Sequence, residues 1–364
     1  MEQKLQPVLL KMPWNIKQTI VDQADTLTKL SLCQTCKEFR NIVEKSSISY
    51  HCLKIRIANK WKKNVVEIVL WKEEEKNEKI QLKNQLKMEF FQSPQGYLMK
   101  NSKQKWKKAV ESDSDSENTG GDANDDLSFV DAAISFIYRK IFINKNVKID
   151  TFDIDAIPPK NSSPEELEEF SRTKTRVLKK METSASRMEY KITAKKLQAV
   201  INGTQEDFQS LLILLQPKIL EVIHVYCPRA SRQPNRGAPA LHVDQISRLA
   251  QWKLAKELLI CRYTIHSVFE TFSHFQSFLI RLPNLSLEEL QSVINHCINS
   301  PDFKSFGFCC KNFPIQDFRD YFARFPETTR HEKFKEWRID APIPTEFFVF
   351  YICHTRIELE RRSV

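Results

Sequence analysis

The one arrangement in this sequence with the spacing of a metal or redox site is Cys33-x-x-Cys36, inside LTKLSLCQTCKEFRNIV at 27–43. A structural zinc takes four ligands, usually as two close pairs, and the chain holds no second C-x-x-C. His51 and Cys52 follow about fifteen residues later, at a spacing that matches no familiar finger. A redox pair sits at a helix N-terminus, where the dipole lowers the thiol pKa. Here both cysteines fall among leucines at helical spacing, which predicts two small residues in mid-helix on a buried stripe.

Other chemistry has no local signature. The six glycines, at 96, 120, 121, 203, 237 and 307, cannot be written into G-x-G-x-x-G or G-x-x-x-x-G-K. Phosphate-cradling loops need glycine for close backbone approach, so both common nucleotide fingerprints are absent. There is no G-x-S-x-G and no H-E-x-x-H. His274, within FSHF, reads as a satisfied core or boundary histidine. The expectation is a protein with no catalytic residues, no metal and no cofactor, hence not an enzyme.

The elements that position these residues change character along the chain. Residues 12–45 read as two or three short helices, with Ile16 and Ile20 four apart and apolar residues recurring from Leu27 to Val43. Residues 50–92 switch to near alternation (LKIRIA, VVEIVLW, IQLKNQLKMEFF), which predicts antiparallel strands. Residues 111–126 hold seven acids, no base and no large apolar side chain, the composition of a disordered spacer. Within it Ser112 and Ser114 each precede an acid by three positions, as an acidic-directed kinase prefers. Two capping boxes mark helix starts, Ser163 with Pro164 and Glu166, and Ser286 with Glu289. From about 188 onward strand-like and helix-like stretches alternate every 20–35 residues, and the tail reads as strands. Of its aromatics, Phe347, Phe348, Phe350 and Tyr351 suit a half-buried strand or a binding patch.

Net charge is +10 with a pI near 9.0. The densest basic spots, KWKK at 60–63 and KQKWKK at 103–108, are short, so a solvated surface explains them as simply as a nucleic-acid groove does. No apolar run approaches the roughly 20 residues of a membrane-spanning helix, and the N-terminus lacks a signal-peptide core. The expected compartment is cytoplasmic, nuclear or both, with cysteines reduced.

Residues 12–45, MPWNIKQTIVDQADTLTKLSLCQTCKEFRNIVEK, resemble an F-box. Met12-Pro13 opens the pattern, Ile16 and Ile20 form its first stripe, and Leu30, Leu32 and Cys36-Lys37-Glu38-Phe39-Arg40 carry its second helix. Thr35 stands where valine is usual, and NIKQT is more polar than most. Further on, Gln251-Trp252 with Ala255-Lys256 and Leu258, then Phe272 with His274-Phe275, resemble the F-box-associated FTH domain of a large nematode family.

The resemblance implies a substrate-recognition subunit of a Skp–cullin–F-box ubiquitin ligase. The F-box would bind a Skp-family adaptor, and through it a cullin–RING ligase, while the C-terminal domain holds an unidentified target. Pro13, Ile16, Ile20, Leu30, Leu32, Cys36 and Phe39 would be the contacts, rimmed by Lys37 and Arg40; some must instead fill the F-box's own core. The expected fold class is α+β: a helical F-box (8–48), a β-rich segment (49–110), the acidic loop (111–126) and a C-terminal α/β domain (127–364) built as a leucine-rich-repeat-like strand–helix stack. The other reading is a nucleic-acid binder using Lys60–Lys63 and Lys103–Lys108, with Trp61 and Trp106 stacking on bases.

Overall fold

The computed structural model describes residues 11–24, 28–29, 32, 36–45, 48–60, 63–76, 79–93, 96–101, 107–108, 128–142, 147–158, 162–187, 191–228, 238–312, 315–330, 335–343, 345–353 and 356–363. The chain divides into two compact units, Met1–Lys195 and Lys196–Val364, each of mixed α/β structure.

The first unit opens with α1 (Trp14–Gln23) and α2 (Lys37–Lys45). Strands β1 (Ile48–Lys60), β2 (Lys63–Lys76), β3 (Lys79–Ser93), β4 (Gly96–Asn101) and β5 (Lys107–Lys108) then pair antiparallel in sequence order. Helix α3 (Phe129–Phe136) runs into a π-turn at Ile137–Ile141, followed by β6 (Val147–Ala156) and α4 (Pro164–Ser186). Strand β6 pairs parallel with β1, placing Ile55 beside Ile154 and Arg56 beside Asp155. Residues 127–195, grouped in sequence with the C-terminal domain, thus pack with the first unit, because α3 and α4 cover β1–β3. Leu53, Ile55, Val66 and Ile68 lie fully buried, but so does Val65, and β2 is buried at every position from 64 to 70, so this strand is covered on both faces and does not show a two-sided alternation.

The second unit opens inside β7 (Thr193–Ile201). It continues through α5 (Gln205–Ile213), β8 (Val222–Tyr226), β9 (Ala240–Leu241), α6 (Ala250–Leu254), β10 (Glu257–Cys261), β11 (Thr264–Ile265) and β12 (Ser277–Asn284). Then come α7 (Leu287–Asn299), β13 (Ser305–Asn312), α8 (Ile315–Phe322), β14 (Glu327–Arg330), β15 (Lys335–Asp340), β16 (Glu346–Cys353) and β17 (Arg356–Ser363). Its sheet runs β7-β8-β10-β12-β13-β17-β16-β15-β14. The first five strands are parallel and the last four antiparallel. The antiparallel half departs from a pure strand–helix stack. Helix α8, absent from the sequence reading, packs on this half: Phe318 and Phe322 are fully buried, and Phe322 stacks on Phe350 of β16 at 3.8 Å between ring centres. Arg361 of β17 donates to the Ser300 and Pro301 carbonyls, each at 2.6 Å, and so satisfies the C-terminal end of α7.

Candidate protein-binding surfaces

The first surface is the N-terminal helix pair. The Pro13 carbonyl accepts from the Ile16 and Lys17 amides, both at 3.1 Å, which starts α1 directly after the proline. Val21, Ile42 and Val43 are fully buried, as is Phe39 at 1% exposure, so the inner faces of α1 and α2 close on each other. Buried Lys17 ties the helices through an ion pair with Glu38. Leu32 is also buried. Phe39, expected with Leu32 among the adaptor contacts, therefore fills the pair's own core, because one apolar stripe cannot face two ways. Pro13 and Ile16 point outward, Ile20 is half-buried, and Lys37 and Arg40 are exposed. Leu30 lies outside the described residues. Trp14, 49% exposed beside Ile16 at 43%, was not singled out in the sequence. Its position next to the opening Met-Pro was the available signal. The Lys45 ammonium lies 5.8 Å above its ring.

Cys36 is not in mid-helix. Its carbonyl accepts from Arg40 and its Sγ from the Phe39 amide at 3.5 Å, which makes it the N-cap of α2. Cys33 lies outside the described residues. Among those described, no group of three or more His, Cys, Asp or Glu side chains could hold a metal. Cys52 points into the first unit's sheet, and burial pushes its thiol up to about 12, the wrong direction for a nucleophile or ligand.

Of the KWKK cluster, the structure describes Lys60 and Lys63, and Lys60 is engaged. Lys60 Nζ lies 2.7 Å from Glu89 and also pairs with Glu67, which is only 3% exposed. Those two acids belong to a lattice that follows from register. Asp155, Arg56, Glu67 and Glu89 are consecutive cross-strand partners on β6, β1, β2 and β3. Lys54 Nζ reaches Asp153 at 3.0 Å and Asp155 at 3.4 Å, and Lys87 Nζ reaches Glu89 at 3.3 Å. Burial works against the Glu89 carboxylate, but the Lys60 ammonium outweighs it and holds the pKa at about 2. Trp61, Lys62, 103–106 and the acidic stretch with Ser112 and Ser114 lie outside the described residues.

In the second unit the residues that prompted the FTH resemblance gather in one cluster. Gln251, 3% exposed, donates to the Leu215 carbonyl at 2.9 Å. Trp252 Nε1 donates to the Thr271 carbonyl at 3.1 Å, and the ring meets Phe275 edge-on at 5.2 Å. His274 Nε2 donates to the Trp252 carbonyl at 2.9 Å, which fixes its tautomer. Burial lowers its pKa below the ordinary histidine value. These residues join the crossovers after β8 and β10, so their role is architectural.

What they hold in place is an open strand face. Gln198, His224, Leu259, Leu279, Gly307, Glu358 and Tyr351 form one row across seven strands. Leu259, Leu279 and Tyr351 are half-buried, whereas the alternate residues Leu258, Phe278, Phe306 and Phe350 are core. The tail aromatics divide by the same alternation, Phe348 and Phe350 inward, Phe347 and Tyr351 on the open side. Gly307 is the floor of a shallow hollow of about 310 Å³. A Cβ there would stand 2.6 Å from Leu279 Cδ1, so only glycine lets Leu279 lie across it. The row toward the N-terminal ends of the parallel strands mixes charge, with Lys196, Glu257, Glu360 and Arg338. Arg281 and Arg356 lie in the row toward the strands' C-terminal ends.

Against known families, the sequence pattern of the FTH domain matches residues 175–325. That span runs from mid-α4 through α8 and holds all five parallel strands. No curated protein matches the chain. No helix among the described residues is long and apolar enough to cross a membrane, which leaves strand-built spans unaddressed.

Proposed function

We propose that the chain is the substrate-recognition subunit of a Skp–cullin–F-box ubiquitin ligase, of the kind expanded in nematodes. The FTH match at 175–325 carries the reading, since FTH domains accompany F-boxes and the match lies downstream of a Met-Pro-opened helix pair. In this reading α1 and α2 form the F-box. They bury the outward Pro13, Trp14, Ile16 and Ile20 against a Skp-family adaptor, with Cys36, Lys37 and Arg40 at the rim. Leu30 joins them. A few such anchors suffice for an interface of about 1,200–2,000 Å². The cullin–RING module is reached through the adaptor, and no chemistry takes place on this chain.

The C-terminal unit then holds the target. Its parallel strands and crossovers act as a leucine-rich-repeat-like stack, and the open strand face is the recognition surface. Modification of Ser112 and Ser114 by an acidic-directed kinase belongs to the same reading, as does a cytoplasmic or nuclear location. Co-purification with a Skp-family adaptor tests it: the full chain captures the adaptor and a version lacking residues 1–45 does not. Among the described residues, Lys60 speaks against nucleic-acid binding through Lys60–Lys63, because Glu67 and Glu89 occupy it.

A further inference from the structure

The open face of the second unit ends, beside Cys261, in three arginines. Arg281 and Arg356 are both register partners of Cys309, one on each side. Their backbones are therefore two strand steps, ~9.6 Å, apart. Arg262 directly follows Cys261, is exposed, and holds a φ of 66°. That left-handed conformation disfavours any side chain with a Cβ except Asn or Asp, and such positions cluster where ligands are held. Here it turns the guanidinium back over the strand ends, where Nη1 lies 3.4 Å from the Cys227 carbonyl. Neither Arg262 nor Arg281 has a carboxylate partner among the described residues, whereas Arg356 pairs with Glu358. All three guanidiniums act on the Cys261 thiol, opposing the rise that burial imposes on it.

We propose that Arg262, Arg281 and Arg356 hold an acidic, extended segment of a partner protein, its carboxylates paired with the guanidiniums. The proposal rests on the reading that the open face receives the target, and it names the target's chemistry. Planar guanidiniums match carboxylates bidentately. In an extended polyproline II segment every third side chain returns to the same side at ~9.3 Å, close to the Arg281–Arg356 step. The basic strip is also short. Glu358 and Glu360 lie two and four residues along β17 from Arg356, that is ~7 and ~13 Å. Glu358 is held by Arg356, so the basic strip open to a partner is short enough for a few carboxylates and not for a continuous phosphate backbone.

The test is fluorescence anisotropy of a labelled decaglutamate peptide titrated with the full chain. The Arg262→Asn/Arg281→Gln variant is compared with Lys179→Gln/Arg187→Gln, which removes the same charge from and just beyond α4. All four residues are exposed, and asparagine suits the left-handed position, so folding is retained and is checked by melting. The proposal expects at least tenfold weaker peptide binding for the first variant and less than twofold change for the second. Equal loss in both variants overturns it, as does unchanged binding in the first. A ten-nucleotide single strand that competes through the same arginines also overturns it. Adaptor capture, read in the same preparations, depends on α1 and α2 alone, so failure of the peptide assay leaves the ligase reading separately measurable.

Discussion

Trp14 and Ile16 carry the docking claim at the scale of single residues, because they are large, apolar and almost half exposed at the start of α1. Truncating both removes contact area without opening a cavity. The Trp14→Ala/Ile16→Ala variant is expected to bind a Skp-family adaptor at least about tenfold more weakly, ~1.4 kcal/mol, with an unchanged melting temperature. Phe39→Ala gives the opposite pattern. Its side chain is 1% exposed, so deletion costs about 3–5 kcal/mol of stability, read as a lower denaturation midpoint. Comparing the two variants separates contact from scaffold. The sequence made Phe39 and Trp14 hard to tell apart, since helical spacing identifies an apolar stripe but not which element covers it. Cys36 was misplaced for a related reason. A run of apolar residues from Leu27 to Val43 reads as one helix, and a thiol is not a usual cap, yet Cys36 Sγ accepts from the Phe39 amide.

At the scale of elements, two helix starts were legible because a serine capping box set them, whereas the caps at Cys36 and Ser128 and the Thr204–Asp207 box were not read. The Glu166 amide donates to Ser163 Oγ at 3.2 Å and the Ser163 amide to Glu166 Oε2 at 2.9 Å. The same reciprocal pair closes between Ser286 and Glu289 at 2.8 and 3.1 Å. Replacing Ser163 or Ser286 by alanine is expected to cost about 1 kcal/mol, measured by chemical denaturation. What the sequence did not disclose is non-local: the parallel pairing of β6 with β1 and the charge lattice it completes. That lattice has a pH signature. Glu89 titrates at about 2 in the folded chain, below its ordinary 4.5, so its contribution is full above 4.5 and is lost as pH falls toward 2. Lys54 and Lys60 are raised above their ordinary value of 10.5 because their acid partners outweigh burial, so their contribution is present below 10.5 and fades as pH rises past it. Acid denaturation of Glu89→Gln should therefore show a shallower loss of stability between pH 4.5 and 2 than the parent chain. An identical slope would mean that the lattice does not set the acid limit.

At the scale of the molecule, alternation of strands and helices after residue 188 was readable because each period is local. The antiparallel close of the second unit was readable only as strands, since its order is set by non-local pairing, and α8, which packs Phe322 against Trp337 of β15 and Phe350 of β16, was not read. The FTH motif residues were recognisable in sequence, yet their hydrogen bonds fix crossovers, and the surface they leave open lies in rows that only register assembles. The functional account joins that surface to an adaptor-docking helix pair in the other unit. Its most direct test is co-purification of a Skp-family adaptor with the folded full chain, beside the version lacking residues 1–45. The account predicts adaptor captured by the full chain alone; a folded full chain that captures none would contradict it.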